Sequence, residues 1–138
     1  LTLTREGTTM NSMIERLGAA DVAGHADAVR LAAVQEVQTQ ADALVTALRL
    51  GEDDGEGEGA DPQRPWALAC LRIALAAGMD GVEDVVLLRR SGATWAEIGA
   101  AAGITRQSAH ERWNARVVAV LDRYGLGEPG GPVADDAP

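Results

Sequence analysis

Apolar positions along this chain recur at helical spacing, in rows separated by short polar or glycine-rich breaks. No stretch alternates convincingly in the manner of a half-buried strand. From about Ser12 to Leu50 the period is helical, with a break near Gly18 to Gly24. Within it Val34, Val37, Ala41, Leu44 and Leu48 form one row. Extended backwards the row meets Arg30 and Asp27, so it lasts about two heptads, short of the three or four that a free-standing coiled coil needs. Packing of this helix on its own domain is therefore favoured over a short dimer-forming helix pair. Residues 1–9 have no period and are expected to be a disordered lead-in.

Pro65 suits the first turn of a helix through Trp66, Leu68, Leu71, Ile73 and Leu75 to Gly78. After Gly81 a second helix is predicted over Val82 to Arg90, with Val85, Val86 and Leu88 facing inward and Gly92 as its cap. Residues 92–117 then predict two helices joined by a very short turn. Thr94, with Glu97 three residues later, is a capping-box start. Gly103 stands where the chain must reverse, and Thr105 caps a helix that begins Arg106-Gln107-Ser108. Ala109, Trp113, Val117, Val120, Leu121 and Tyr124 hold one face of that last helix. The expected fold is all-α, an N-terminal helical region over residues 1–50 and a compact helical domain over 65–124. Between them residues 51–64 form an acidic, glycine-rich linker, and residues 125–138, with three prolines and four glycines, form a disordered tail.

The Trp95-Ala96-Glu97-Ile98-Gly99 stretch, Gly103, Ile104, Thr105-Arg106-Gln107, Ala109 and Trp113 together resemble bacterial helix-turn-helix regulators, particularly the DNA-binding regions of sigma factors. The resemblance covers about 30 residues. It implies that the helix from Thr105 enters a DNA major groove while the helix from Thr94 crosses the backbone. Gly99 departs from the family pattern, where alanine is more usual at the close contact between the helices. The smaller residue preserves the contact at a cost of about 1 kcal/mol in helix propensity.

Charge sharpens this reading. The formal net charge is −9, yet from Arg89 to Tyr124 six arginines face three acids, a local balance of +3 that leaves −12 on the rest of the chain. A basic island in an acidic chain points to one discrete binding face. On the last helix Arg106, Gln107, His110, Glu111 and Asn114 face away from the apolar row, and these residue types can read base edges. Arg106, Gln107 and His110 are assigned to bases. Thr94, Thr105 and Ser108 are assigned to capping or phosphate, and Arg112 and Arg116 to phosphate. An ion pair of Arg112 with Glu111 or a neighbouring helix is an almost equal alternative. Arg89 and Arg90 suit phosphate, a helix C-terminus, or both.

Other chemistry is poorly represented. There is no lysine and no phenylalanine, and alanine is abundant, which fits a GC-rich bacterial genome. Cys70 is alone, so no intramolecular disulfide or cysteine-based zinc cage forms; a buried, inert thiol in a cytoplasmic protein is expected. His25 lies among Ala and Asp without a second histidine nearby and is not read as a ligand. The acidic residues of 51–63 miss the register of a calcium loop, and no phosphate loop or zinc spacing occurs, so neither catalysis nor a metal or other cofactor is expected. Trp66, Trp95 and Trp113 are expected in the core. No apolar run approaches the about 18 residues that span a bilayer, and no basic, apolar-cored leader opens the chain.

The expectation is a cytoplasmic, nucleoid-associated protein that binds double-stranded DNA sequence-specifically. It would be a bacterial transcription regulator working as a homodimer through its N-terminal region. The rival readings are a protein-interaction adaptor or RNA polymerase-associated factor that uses the motif as scaffold, or an antitoxin-like regulator.

Overall fold

A computed structural model describes residues 2–52 and 61–123, with side chains described from residue 9. Among these residues every regular element is an α-helix: α1 (Thr2–Ala19), α2 (Val22–Leu48), α3 (Arg64–Ala76), α4 (Val82–Arg90), α5 (Trp95–Ala102) and α6 (Arg106–Arg123). The all-α expectation holds. The chain divides into two units, residues 1–35 and 36–138, and the boundary falls inside α2.

The first unit holds α1 and the opening turns of α2. The aperiodic lead-in expected over residues 1–9 is instead helical from Thr2. Helix propensity there needs no apolar row of its own once the downstream turns are formed. Asp21 starts α2, its Oδ1 accepting from the Gly24 amide at 3.0 Å. No described side chain of this unit is buried. On α1, Met10, Met13, Ile14 and Leu17 fall along one face and are 49–67% exposed.

The second unit begins earlier than the sequence suggests. Val37 and Ala41 are buried against Ala69, Cys70 and Ala74 of α3, with Leu44 and Val45 beside them. The middle of the α2 row, Val37, Ala41 and Leu44, thus packs on α3, while Leu48 at its end is 59% exposed. The acidic segment is consequently a connection within one unit and not a tether between two domains, because α2 and α3 share a core across it. Asp61 already begins the ordered approach to α3, its Oδ1 accepting from the Gln63 amide at 2.9 Å. The linker residues 53–60, Tyr124 and the tail lie outside the described residues.

A larger core joins the remaining helices. Leu71 of α3, Val85 and Leu88 of α4, Trp95 and Ile98 of α5, and Ala109, Trp113, Val117 and Leu121 of α6 are all at most 1% exposed. Half-buried Trp66 touches both clusters. Cys70 is 2% exposed, and burial, followed by the charges of Asp84 and Asp42, pushes its thiol up to about 12. It is an inert core residue at neutral pH.

Two glycines are required by geometry. Gly103 ends α5 at φ 76°, in the left-handed region. Gly99 matters for a different reason: a Cβ there would lie 2.9 Å from the carbonyl oxygens of both Ile104 and Thr105. These oxygens belong to the backbone that enters α6, and the Thr105 carbonyl already accepts from Ala109 at 3.0 Å. The contact does more than tolerate glycine in place of alanine; it excludes alanine.

Gly99→Ala is expected to lose stability despite its better helix propensity. The overpacking term of about 1–3 kcal/mol outweighs the propensity gain of about 1 kcal/mol. Urea unfolding reads the difference, and a variant as stable as the wild type would contradict the close approach. Asp84, in the first turn of α4, is pushed from its ordinary 3.8 to about 6, chiefly by burial and secondly by Glu83. Because the folded state raises this pKa, ionising Asp84 costs stability as the pH climbs from about 4 through 6. Asp84→Asn should therefore gain about 1 kcal/mol over the wild type at pH 7.5 and nothing below pH 4. Thermal melts at the two pH values test this, and an advantage independent of pH would refute it.

Candidate nucleic-acid interface

The candidate interface comprises α5, the turn at Gly103 and the first three turns of α6. Thr94 caps α5: its Oγ1 accepts from the Glu97 amide at 3.1 Å and lies 3.3 Å from Glu97 Oε1, to which the hydroxyl donates. Thr94 is half-buried and spends its hydroxyl on the helix start. Glu97 is itself held by Arg64 Nη1 at 2.7 Å, and Arg64 Nη2 donates to the Ser91 carbonyl at 3.1 Å. At the other end of α5, Arg72 Nη1 donates to the Ala101 carbonyl at 3.1 Å. Helix α3 therefore grips α5 at both termini.

Thr105 caps α6 in the same way, accepting from the Ser108 amide at 3.0 Å and donating to Ser108 Oγ at 2.9 Å. At ~100° per residue, Gln107 and Glu111 lie ~160° from the buried Ala109 and so mark the centre of the outward face. Both are exposed, and Gln107 Nε2 donates to Glu111 Oε1 at 3.1 Å. Arg106, at the helix start, is exposed as well. His110 and Asn114 are half-buried at the edge of this face. The His110 ring meets Trp95 edge-on, 5.4 Å between centroids, so one side of the imidazole is committed to the core.

The opposite edge is cationic. Arg112 is exposed, and its guanidinium sits 4.7 Å from the centre of the Trp113 ring rather than on Glu111. Arg116 donates from Nη1 to Asp80 Oδ2 at 2.8 Å and from Nη2 to the Arg112 carbonyl at 3.3 Å. The pair is about half exposed on both sides. Its hydrogen bond is the main reason the Asp80 carboxyl lies below the usual carboxylate range. Trp113 Nε1 donates to the Asp80 carbonyl at 3.2 Å, fixing the loop that presents this carboxylate.

Arg89 and Arg90, neighbours in sequence, part company. Arg90 is exposed in the last turn of α4. Arg89 is 1% exposed: its Nη1 donates to the Ala93 carbonyl at 2.8 Å, and its guanidinium lies 4.7 Å from the centre of the Trp95 ring. A phosphate role for Arg89 is thereby excluded, because the side chain sits under the α4–α5 corner and does not reach the surface. One of the six arginines of the basic island is a core residue.

Asp80, Arg64 and Arg72 escaped the sequence reading. None falls in the motif, and each acts from 29 to 36 residues away in the chain, a separation no local spacing reveals. Among the described residues no group of three or more His, Cys, Asp or Glu is placed to hold a metal ion, and no helix is long and apolar enough to cross a membrane. No protein-family model, no curated protein and no solved structure matches the chain.

Proposed function

We propose that the protein binds double-stranded DNA sequence-specifically through α6 and acts as a bacterial transcription regulator. The observation that carries the reading is the composition and exposure of the start of α6. Arg106 and Gln107 lie in the open on a helix whose entry is fixed against α5 at Gly99, with Arg112, Arg116 and Arg90 as exposed cations. In the proposed complex Arg106 and Gln107 contact base edges, with His110, Asn114 and Glu111 beside them. Thr105 and Ser108 add donors at the helix N-terminus, where phosphate binds well. Arg112, Arg116 and Arg90 take phosphates and set orientation. Thr94 serves the interface by holding α5.

One recognition helix reads only a few base pairs, so the regulator works as a homodimer. Its N-terminal unit supplies the contact, where the exposed row Met10, Met13, Ile14 and Leu17 is available. The same row favours a second reading, an adaptor or polymerase-associated factor whose motif is only scaffold. The two readings differ in what α6 must do.

Duplexes selected from a random pool at stated salt should converge on a palindrome, with two protein chains per duplex by light scattering. A non-palindromic site bound by one chain would remove the dimer. On the selected duplex, Arg106→Ala combined with Gln107→Ala should weaken binding at least about tenfold, since each good base contact is worth about 1–3 kcal/mol. Unchanged duplex affinity in that variant, with a protein partner still bound, would establish the adaptor. Asp80→Asn releases Arg116 from its carboxylate. It should tighten binding, because Arg116 then reaches its phosphate without giving up a carboxylate, whereas Arg116→Ala should flatten the log–log salt slope by about 0.9, the increment for one phosphate contact. An unaltered slope would keep Arg116 out of the interface.

A further inference from the structure

The outward face of α6 carries one side-chain pair whose chemistry is more specific than its charge. Gln107 Nε2 donates to Glu111 Oε1 at 3.1 Å, one helical turn along, and both residues are exposed. A carboxylate only accepts, so Glu111 takes the NH2 side of the amide. An unaided glutamine amide turns easily about its last torsion and offers either end outwards. The neighbouring guanidinium of Arg112 stands 4.7 Å from the centre of the Trp113 ring and leaves the carboxylate to Gln107. Ala109 and Trp113, on the other side of the same turns, are fully buried and hold the pair in register.

What the amide has left decides what it can read. One N–H is spent on Glu111. With the hydrogen anti to Oε1 in that bond, the other N–H and Oε1 stand side by side, a donor next to an acceptor. Adenine presents the matching edge in the major groove, an N7 acceptor beside an N6 donor. Guanine presents two acceptors, thymine an acceptor beside a methyl group, and cytosine a lone donor, so none of these satisfies both groups. The carboxylate adds a penalty against guanine and thymine, whose O6 and O4 bring a further acceptor towards it.

We infer that Glu111 is a positioning residue: it orients the Gln107 amide so that α6 reads adenine at the base pair beneath the middle of its outward face. The inference rests on DNA binding by α6 and goes beyond it by assigning a base to one side chain and a separate task to its neighbour. Gln107 makes the base contact, and Glu111 acts through Gln107.

The test measures fluorescence anisotropy at fixed salt, with the full chain and the duplex selected from the random pool. Gln107→Ala identifies the base pair that this residue reads, as the position where base preference disappears. That pair should be A·T, and 7-deazaadenine there, which lacks the N7 acceptor, should weaken wild-type binding at least about fivefold. Glu111→Gln, equal in size but able to donate as well as accept, should lower the preference for adenine over guanine at that position by a similar factor. Glu111→Asp keeps the charge but is one methylene short, and it should lower the preference too. In the Gln107→Ala background neither change at 111 should alter base preference there. Circular dichroism should show unchanged helix content, since both side chains are exposed. A base other than adenine read by Gln107, or Glu111 variants that shift affinity for every duplex equally, would overturn the assignment while leaving DNA binding intact. A chain that selects no duplex would overturn both.

Discussion

The path of α6 depends on how closely its entry approaches α5 at Gly99. Two backbone carbonyls occupy the space that any side chain at 99 would need. That approach permits a turn of three residues between the helices, with Gly103 left-handed at its corner. A wider turn would lower α6 away from Trp95 and uncover the ring that His110 and Arg89 both use. Packing at the Trp95–Trp113 centre then holds the short helix α5, whose eight residues would not persist alone in water.

Much of this was legible because local signals and long-range packing agree. The starts of α5 and α6 could be read from Thr94 and Thr105, whose hydroxyls find all their partners within three residues. The inward face of α6 followed from the spacing of Ala109, Trp113 and Val117. Legibility failed where a side chain is placed by a distant element. Arg89 and Arg90 are the same residue type at adjacent positions. The ~100° step around the helix sends one under Trp95 and the other to solvent. No property of the sequence near Arg116 announces Asp80, and the division of the chain within α2 is invisible beside so conspicuous an acidic break.

The arginines of the second unit divide into three kinds of work. Arg89 is a buried cation that donates to a carbonyl and lies against an aromatic face. Arg64 and Arg72 are struts from α3 to the two ends of α5. Arg49, Arg90, Arg106, Arg112, Arg116 and Arg123 remain at the surface. Guanidinium suits the first two tasks because its planar fork satisfies several acceptors at fixed angles, which an ammonium does not. A count of positive charge therefore overstates what the surface can offer to a polyanion.

The sharing of one core by α2 and α3 across the acidic segment has a consequence for dissection of the chain. A fragment beginning at Arg64 would contain every helix of the motif, yet it would expose the face of Ala69, Cys70 and Ala74 that Val37 and Ala41 cover. The unit that keeps this face covered starts at Glu36. The segment between α2 and α3 is then the natural place to lengthen, shorten or re-join the chain, since its ends are already brought together by the core they flank.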